Sequence, residues 1–148
     1  MSYVRFFYHL IIRTKGSRRT LPLEHSDILY GYLANVARDK GAFVHLINGM
    51  EEHVHLGIEL PPTIAFSDFV RNFKSASSLG LKEKEEFRDF EGWGRSYAAF
   101  SCRVDDCDRV LRYIANQREH HKTVSFAEEI KLIAERMGMR FDERDLMD

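Results

Sequence analysis

The chain predicts an α+β fold: a ferredoxin-like antiparallel sheet with helices packed mainly on one face, followed by extra C-terminal helices. Three observations carry this. Strand-like apolar stretches fall at residues 4–12, 42–47, 53–60 and 97–104. Apolar residues recur at helical spacing between the first and second of these, and again between the third and fourth. The resulting order is βαββαβ, with a further helical pattern at 105–121 and neither an internal repeat nor a linker. Residues 1–148 are therefore expected to form one domain, long enough to bury roughly 68–70% of the surface of the unfolded chain.

Each element has a local cause. Residues 4–12 (VRFFYHLII) are aromatic and β-branched, and apolar on both faces, as in a central strand. His9 within it is expected in the core or supporting another side chain rather than as a ligand. Ser26 or Asp27 can cap a helix whose Ile28, Leu29, Tyr32, Leu33 and Val36 share one face and which ends before Gly41. Residues 42–47 read as a strand, Asn48-Gly49 as a turn and 53–60 as the hairpin partner, stopped by Pro61-Pro62. Ser67-Asp68 can cap a second helix over 69–79, with Phe69, Val70 and Phe73 inward and Arg71 and Lys74 outward. Residues 81–94 mix a charge run with Gly92 and Gly94 and read as a surface excursion.

Composition bounds the function. With 44% hydrophobic and 30% charged residues the chain is ordinary for a soluble globular protein. A formal net charge of −1 excludes a uniformly basic coat, so any nucleic-acid binding must use a local patch. Cys102 and Cys107 have neither metal-ligand nor disulfide-framework spacing and read as small core residues. No apolar run approaches membrane-spanning length, and the start lacks a signal peptide's apolar core. A cytoplasmic protein without membrane contact is expected.

Two stretches carry chemistry. In a strand, His53 and His55 point the same way while Val54 packs inward, and imidazoles ~7 Å apart at their backbones can converge on one cation. A solvated pair on an open sheet face has the same spacing. In the helix at 105–121, Cys107, Val110, Leu111 and Ile114 form the buried face. Tyr113, Gln117 and His120 form a stripe on its flank. Tyr113 could simply anchor the helix margin, with Gln117 in water. As a nucleophile it starts with about 0.1% phenolate at neutral pH, a handicap of roughly 4 kcal/mol. A metal polarising a phosphoryl oxygen could offset that. The two histidines supply most of such a site, and the Gln117 carbonyl could complete it.

His53-Val54-His55 resembles the histidine–hydrophobe–histidine motif of single-tyrosine HUH endonucleases. Tyr113-Ile-Ala-Asn-Gln117, followed by His120-His121, is similar to the tyrosine helix of insertion-sequence transposases that move as single-stranded DNA. It is most similar to their chromosomal relatives associated with repetitive extragenic palindromes. Arg13-Thr14-Lys15, Gly49-Met50, Phe73-Lys74-Ser75, Trp93 and Tyr97-Ala98-Ala99-Phe100-Ser101 extend the resemblance over nearly the whole chain. It departs where Gly94 and Ser96 stand, at positions relatives commonly fill with Gln and Gly.

The resemblance implies a divalent cation, Mg²⁺ or Mn²⁺, bound by His53, His55 and Gln117. Tyr113 would attack the scissile phosphate, giving a 5′-phosphotyrosine link and a free 3′-OH, later resolved by another DNA 3′-OH. It also implies a homodimer and recognition of a hairpin in single-stranded DNA. Arg13, Lys15, Arg18, Arg19, Arg71 and Lys74 would then supply the local patch that contacts phosphates. Two alternatives stand beside this: a catalytically silent hairpin-binding regulator, and a metal-dependent phosphodiesterase using water. The acidic ending (Asp142, Glu143, Asp145, Asp148) reads as a solvated tail.

Overall fold

A computed structural model describes residues 2–146; Asp148 of the acidic ending lies outside them. Four strands, β1 (Phe6–Thr14), β2 (Phe43–Gly49), β3 (His53–Leu60) and β4 (Trp93–Cys102), form one antiparallel sheet in the order β2-β3-β1-β4. The strands are joined by α1 (Ser26–Asp39) between β1 and β2, and by α2 (Phe66–Lys82) between β3 and β4. Three helices follow: α3 (Cys107–Ala115), α4 (Gln117–His120) and α5 (Phe126–Arg136). This is the split βαβ arrangement, with β3 inserted between β1 and β2.

The period-2 alternation of β1 and β3 divides the molecule. Leu10, Ile12, Val54, Leu56 and Ile58 turn to one face and pack with Leu29, Leu33 and Ala37 of α1 and Phe69, Val70 and Phe73 of α2. His9, Ile11, Arg13, His53 and His55 occupy the other face, since Ile11 pairs with His55, Arg13 with His53 and His9 with Gly57. The C-terminal helices cover that second face. Ile130 and the flanking Phe126 and Ile133 of α5 pack on Ile11 and Phe100. α3 approaches over Gly57, where a Cβ would lie 2.8 Å from Leu111 Cδ2.

Local details depart from the sequence expectations for physical reasons. Asn48-Gly49 stay in β2, and the turn is made by residues 50–52. α1 is preceded by a 3₁₀ turn, Leu23–His25, and has His25 rather than Ser26 or Asp27 at its N-cap. In α2, Ser67 and Asp68 lie inside the first turn, behind Ala65. The stretch at 81–94 is more than a surface excursion: Phe87, Phe90 and Trp93 are buried, and Trp93 Nε1 donates to Ser77 Oγ at 2.9 Å. Alternating charge masked these aromatic anchors, and β4 accordingly begins at Trp93. The helix expected over 105–121 breaks at Asn116 into α3 and α4. Asn48 stands beside the break and donates through Nδ2 to the Ile114 and Ala115 carbonyls at 3.0 and 3.1 Å. Carbonyls at a helix end are the ones that run short of intrahelical partners, and Asn48 adds to their bonding. Cys107 is buried and Cys102 half-buried, both as free thiols. No helix among the described residues is long and apolar enough to cross a membrane.

The β2–β3 hairpin that presents His53 leaves no room at Gly49. A Cβ there would lie 2.2 Å from the His53 carbonyl oxygen and 2.8 Å from Val54 Cα, both backbone atoms. Gly49→Ala should therefore destabilise the protein by about 3 kcal/mol, the upper end of overpacking costs. Urea unfolding reads this as a lower midpoint at unchanged m.

Candidate functional site

β3 delivers two imidazoles to the face beneath the C-terminal helices, and both His53 and His55 have zero exposure. Each has a partner on its outer nitrogen. His53 Nδ1 donates to Glu52 Oε1 at 2.8 Å, and His55 Nδ1 bonds His9 Nε2 at 2.7 Å. His9 thus supports His55 from the adjacent strand. Burial, then the nearby His55, lowers the His9 pKa to about 3. Burial lowers His55 to about 4 against the pull of Glu129, so both rings are neutral at physiological pH.

The inner nitrogens face a carboxylate. Glu129 Oε1 lies 3.1 Å from His55 Nε2, 3.5 Å from His53 Nε2 and 3.0 Å from His121 Nε2. Its Oε2 accepts hydrogen bonds from the Tyr113 hydroxyl and, at 3.0 Å, from Gln117 Nε2. Burial alone would raise the Glu129 pKa, but hydrogen bonds from His121 and His55 hold it well below the usual carboxylate range. Those same contacts with Glu129 raise His121 above its ordinary value despite partial burial. Burial, then the Glu129 carboxylate, pushes the Tyr113 phenol above its ordinary value. The ligand atoms of His53, His55, His121 and Glu129 all lie within 4.8 Å of one another, a grouping able to hold a metal ion.

The four side chains singled out by motif and spacing meet within one chain. Gln117 is fully buried rather than in water, its Oε1 lying 3.4 Å from His53 Nε2. The Tyr113 ring lies 6.0 Å from the His55 ring, and its hydroxyl is 3.3 Å from His120 Nε2. Motif and spacing pass over Glu129. Its signal is a misplaced charge: it stands three residues after Phe126 and four before Ile133, on the apolar stripe of α5.

The cations divide. Lys15, Arg18 and Lys74, together with Lys82 and Arg95, line a groove of about 750 Å³ between the turn after β1, α2 and the start of β4. Glu91 lines it too, paired with Arg18 at 2.7 Å. Arg19 lines a separate recess that includes Glu52 and His121. Arg71 is exposed beside Asp68, 3.0 Å away, and lines neither. Arg13 departs from the expected phosphate contact: it is 4% exposed, its guanidinium donating to Ser17 Oγ and Ser96 Oγ. It lies in a central strand paired with His53, on the face where α5 packs, and lines a recess there with Ser96, Phe126 and Ile130.

The family model described as Transposase IS200 like matches residues 2–117. The ISDra2 transposase TnpA of Deinococcus radiodurans is 29% identical over 117 residues, covering 76% of this chain and 84% of its own. The transposase for insertion sequence element IS200 of Salmonella typhimurium is 26% identical over 120 residues, 78% of either chain. A crystal structure from D. radiodurans R1, assigned as a transposase, superposes with a TM-score of 0.58 at 28% identity, covering 79% of this chain and 95% of that one. A REP-associated tyrosine transposase bound to a REP hairpin gives a TM-score of 0.61 at 19% identity, covering 84% and 73%, which shows the shared fold. The chain with this histidine pair, tyrosine and buried amide over one antiparallel sheet belongs to the IS200-like transposase family.

Proposed function

We propose that the chain is a metal-dependent single-stranded DNA endonuclease and strand transferase, with Tyr113 as its nucleophile. What supports this most is that the Tyr113 hydroxyl, the buried Gln117 amide and the buried Nε2 edges of His53 and His55 meet at one place in a single chain. A site whose parts meet within one chain favours a tyrosine acting in its own subunit, with a homodimer holding two such sites.

The donor set fits a divalent cation. Glu52 accepts from His53 Nδ1, and His9 engages His55 Nδ1, so both Nε2 atoms are turned inward, as in metal-bound histidines with a second hydrogen-bonding partner. His53, His55 and Gln117 would hold Mg²⁺ or Mn²⁺, with imidazole favouring Mn²⁺. Bound there, the ion supplies Lewis-acid polarisation of a phosphoryl oxygen. Tyr113 Oη forms a bond to the scissile phosphorus while the P–O3′ bond breaks, leaving DNA 5′-linked to the tyrosine and a free 3′-OH. The phenolic proton balances the departing 3′ oxygen. Attack by another DNA 3′-OH reverses the step on a new strand and restores the phenol.

Lys15, Arg18 and Lys74 in the basic groove, with Arg19 at the recess beside His121, are the cations that track the phosphates of a hairpin-bearing single strand. The structural neighbour bound to a REP hairpin supports this choice of partner. A cytoplasmic location suits such a substrate.

Incubation with single-stranded DNA carrying a flanking palindrome and Mn²⁺ should give a covalent protein–DNA species on a denaturing gel. The species should vanish in Tyr113→Phe and in His53→Ala. Cleavage without the adduct would identify a hydrolase using water; binding without cleavage would identify a silent regulator.

Neutralising Lys15, Arg18 and Lys74 together should lower the slope of log Kobs against log salt by roughly 2–3, at ~0.7–0.9 per phosphate contact. An unchanged slope in a filter-binding salt series rejects the groove as the DNA contact.

A further inference from the structure

We infer that His121 and Glu129 join His53 and His55 in holding the cation, while the second oxygen of Glu129 holds the Tyr113 phenol. This rests on the metal-dependent reading above and changes its ligand set. The family match ends at residue 117, so both added ligands lie beyond it. The helix that follows the matched segment thereby becomes part of the active centre.

Hydrogen-bond polarity carries the inference. A carboxylate only accepts, so the contact with Glu52 places a proton on His53 Nδ1, and a neutral His53 has a bare lone pair on Nε2. Gln117 has its amide fixed, because Nε2 donates to Glu129 Oε2 and turns Oε1 toward His53. His53 Nε2 therefore faces two acceptor oxygens, Gln117 Oε1 at 3.4 Å and Glu129 Oε1 at 3.5 Å. Acceptors converging on one point repel unless a proton or cation lies among them. His55 and His121 already direct protons at Glu129 Oε1, so what still calls for a cation, or for a second proton on His53, is the facing pair His53 Nε2 and Gln117 Oε1.

The spacing suits one ion. Around Glu129 Oε1 the three imidazole nitrogens stand at 3.0, 3.1 and 3.5 Å. Tetrahedral ligands at about 2.1 Å from a metal are about 3.4 Å from one another. Three imidazoles and a carboxylate are a borderline donor set, which favours Mn²⁺, Co²⁺ or Zn²⁺ over Mg²⁺. With Oε1 on the ion, Oε2 still faces the Tyr113 hydroxyl and Gln117 Nε2. Glu129 is then a metal ligand and, toward Tyr113, a positioning residue.

The test uses the full chain stripped with a chelator, with Mn²⁺ affinity read by calorimetry and Co²⁺ coordination by visible absorption. Glu129→Gln and His121→Ala should each weaken Mn²⁺ binding at least tenfold. The intense visible bands of four-coordinate Co²⁺ should fade in both. Wild-type affinity and an unchanged Co²⁺ spectrum in His121→Ala, whose site is nearer the surface, overturn the inference even if Glu129→Gln fails to fold. Undiminished Mn²⁺ binding in His53→Ala is a separate outcome: it removes the histidine pair from any metal site, and the ligand set proposed here falls with it. Loss of binding in His53→Ala alone leaves the ligands as His53, His55 and Gln117 and rejects the added pair.

Discussion

The burial of one carboxylate governs the architecture of the site. Glu129 has a side chain with zero exposure, and moving such a charge out of water costs several kcal/mol even after relaxation. That cost is tolerable only because His55, His121, Tyr113 and Gln117 all turn toward it. The helix carrying Glu129 is therefore held to the sheet by polar contacts at one end and by Phe126, Ile130 and Ile133 along its length. Removing any one polar partner would leave the carboxylate less compensated, so the cluster behaves as a unit.

The sheet separates stability from chemistry by alternation. Val54, Leu56 and Ile58 fill the core under α1 and α2, while His53 and His55 at the alternate positions face the other way. A strand can thus contribute both with no compromise at a single position. Gly57 continues the row of His53 and His55 where no side chain is wanted, and α3 comes down over it. That approach brings the Asn48 side chain within reach of the α3 terminus. Its two hydrogen bonds fall where the helix ends between Tyr113 and Gln117, setting how the phenol and the amide lie over the histidines.

How much of this was readable from the chain follows from the range of each cause. The histidine pair was readable because a strand's period is short and local. The four-residue spacing of Tyr113 and Gln117 was readable for the same reason on a helix, although the break at Asn116 was not, since it depends on Asn48, distant in sequence. Burial of Gln117 depends on partners outside its own helix, His53 on β3 and Glu129 on α5. Glu129 stood in plain view as an acid on an apolar stripe, but helices tolerate marginal charges often enough that its meaning depends on what the sheet opposes to it. Arg13 was misplaced as a phosphate contact because the cationic run after β1 begins inside the strand, where register decides exposure.

Charge segregation lets a chain of net charge −1 present a cationic surface. Lys15, Arg18, Lys74, Lys82 and Arg95 gather along one groove, where the one acid, Glu91, is already paired. Glu52 and Glu129 are instead turned inward to histidines. Under the proposed mechanism, a phosphate approaching Tyr113 would come close to Glu129, which accepts the phenol's hydrogen bond. Two unit anions about 4 Å apart repel by about 4 kcal/mol at the effective dielectric near a protein surface. Proton uptake by His121 relieves part of this, since Glu129 already raises its pKa. A divalent cation among the imidazoles relieves more, because it faces the carboxylate and the phosphate together. On electrostatic grounds alone, cleavage at Tyr113 with Glu129 in place calls for a bound cation, and an adduct that forms only with metal is what the buried carboxylate leads one to expect.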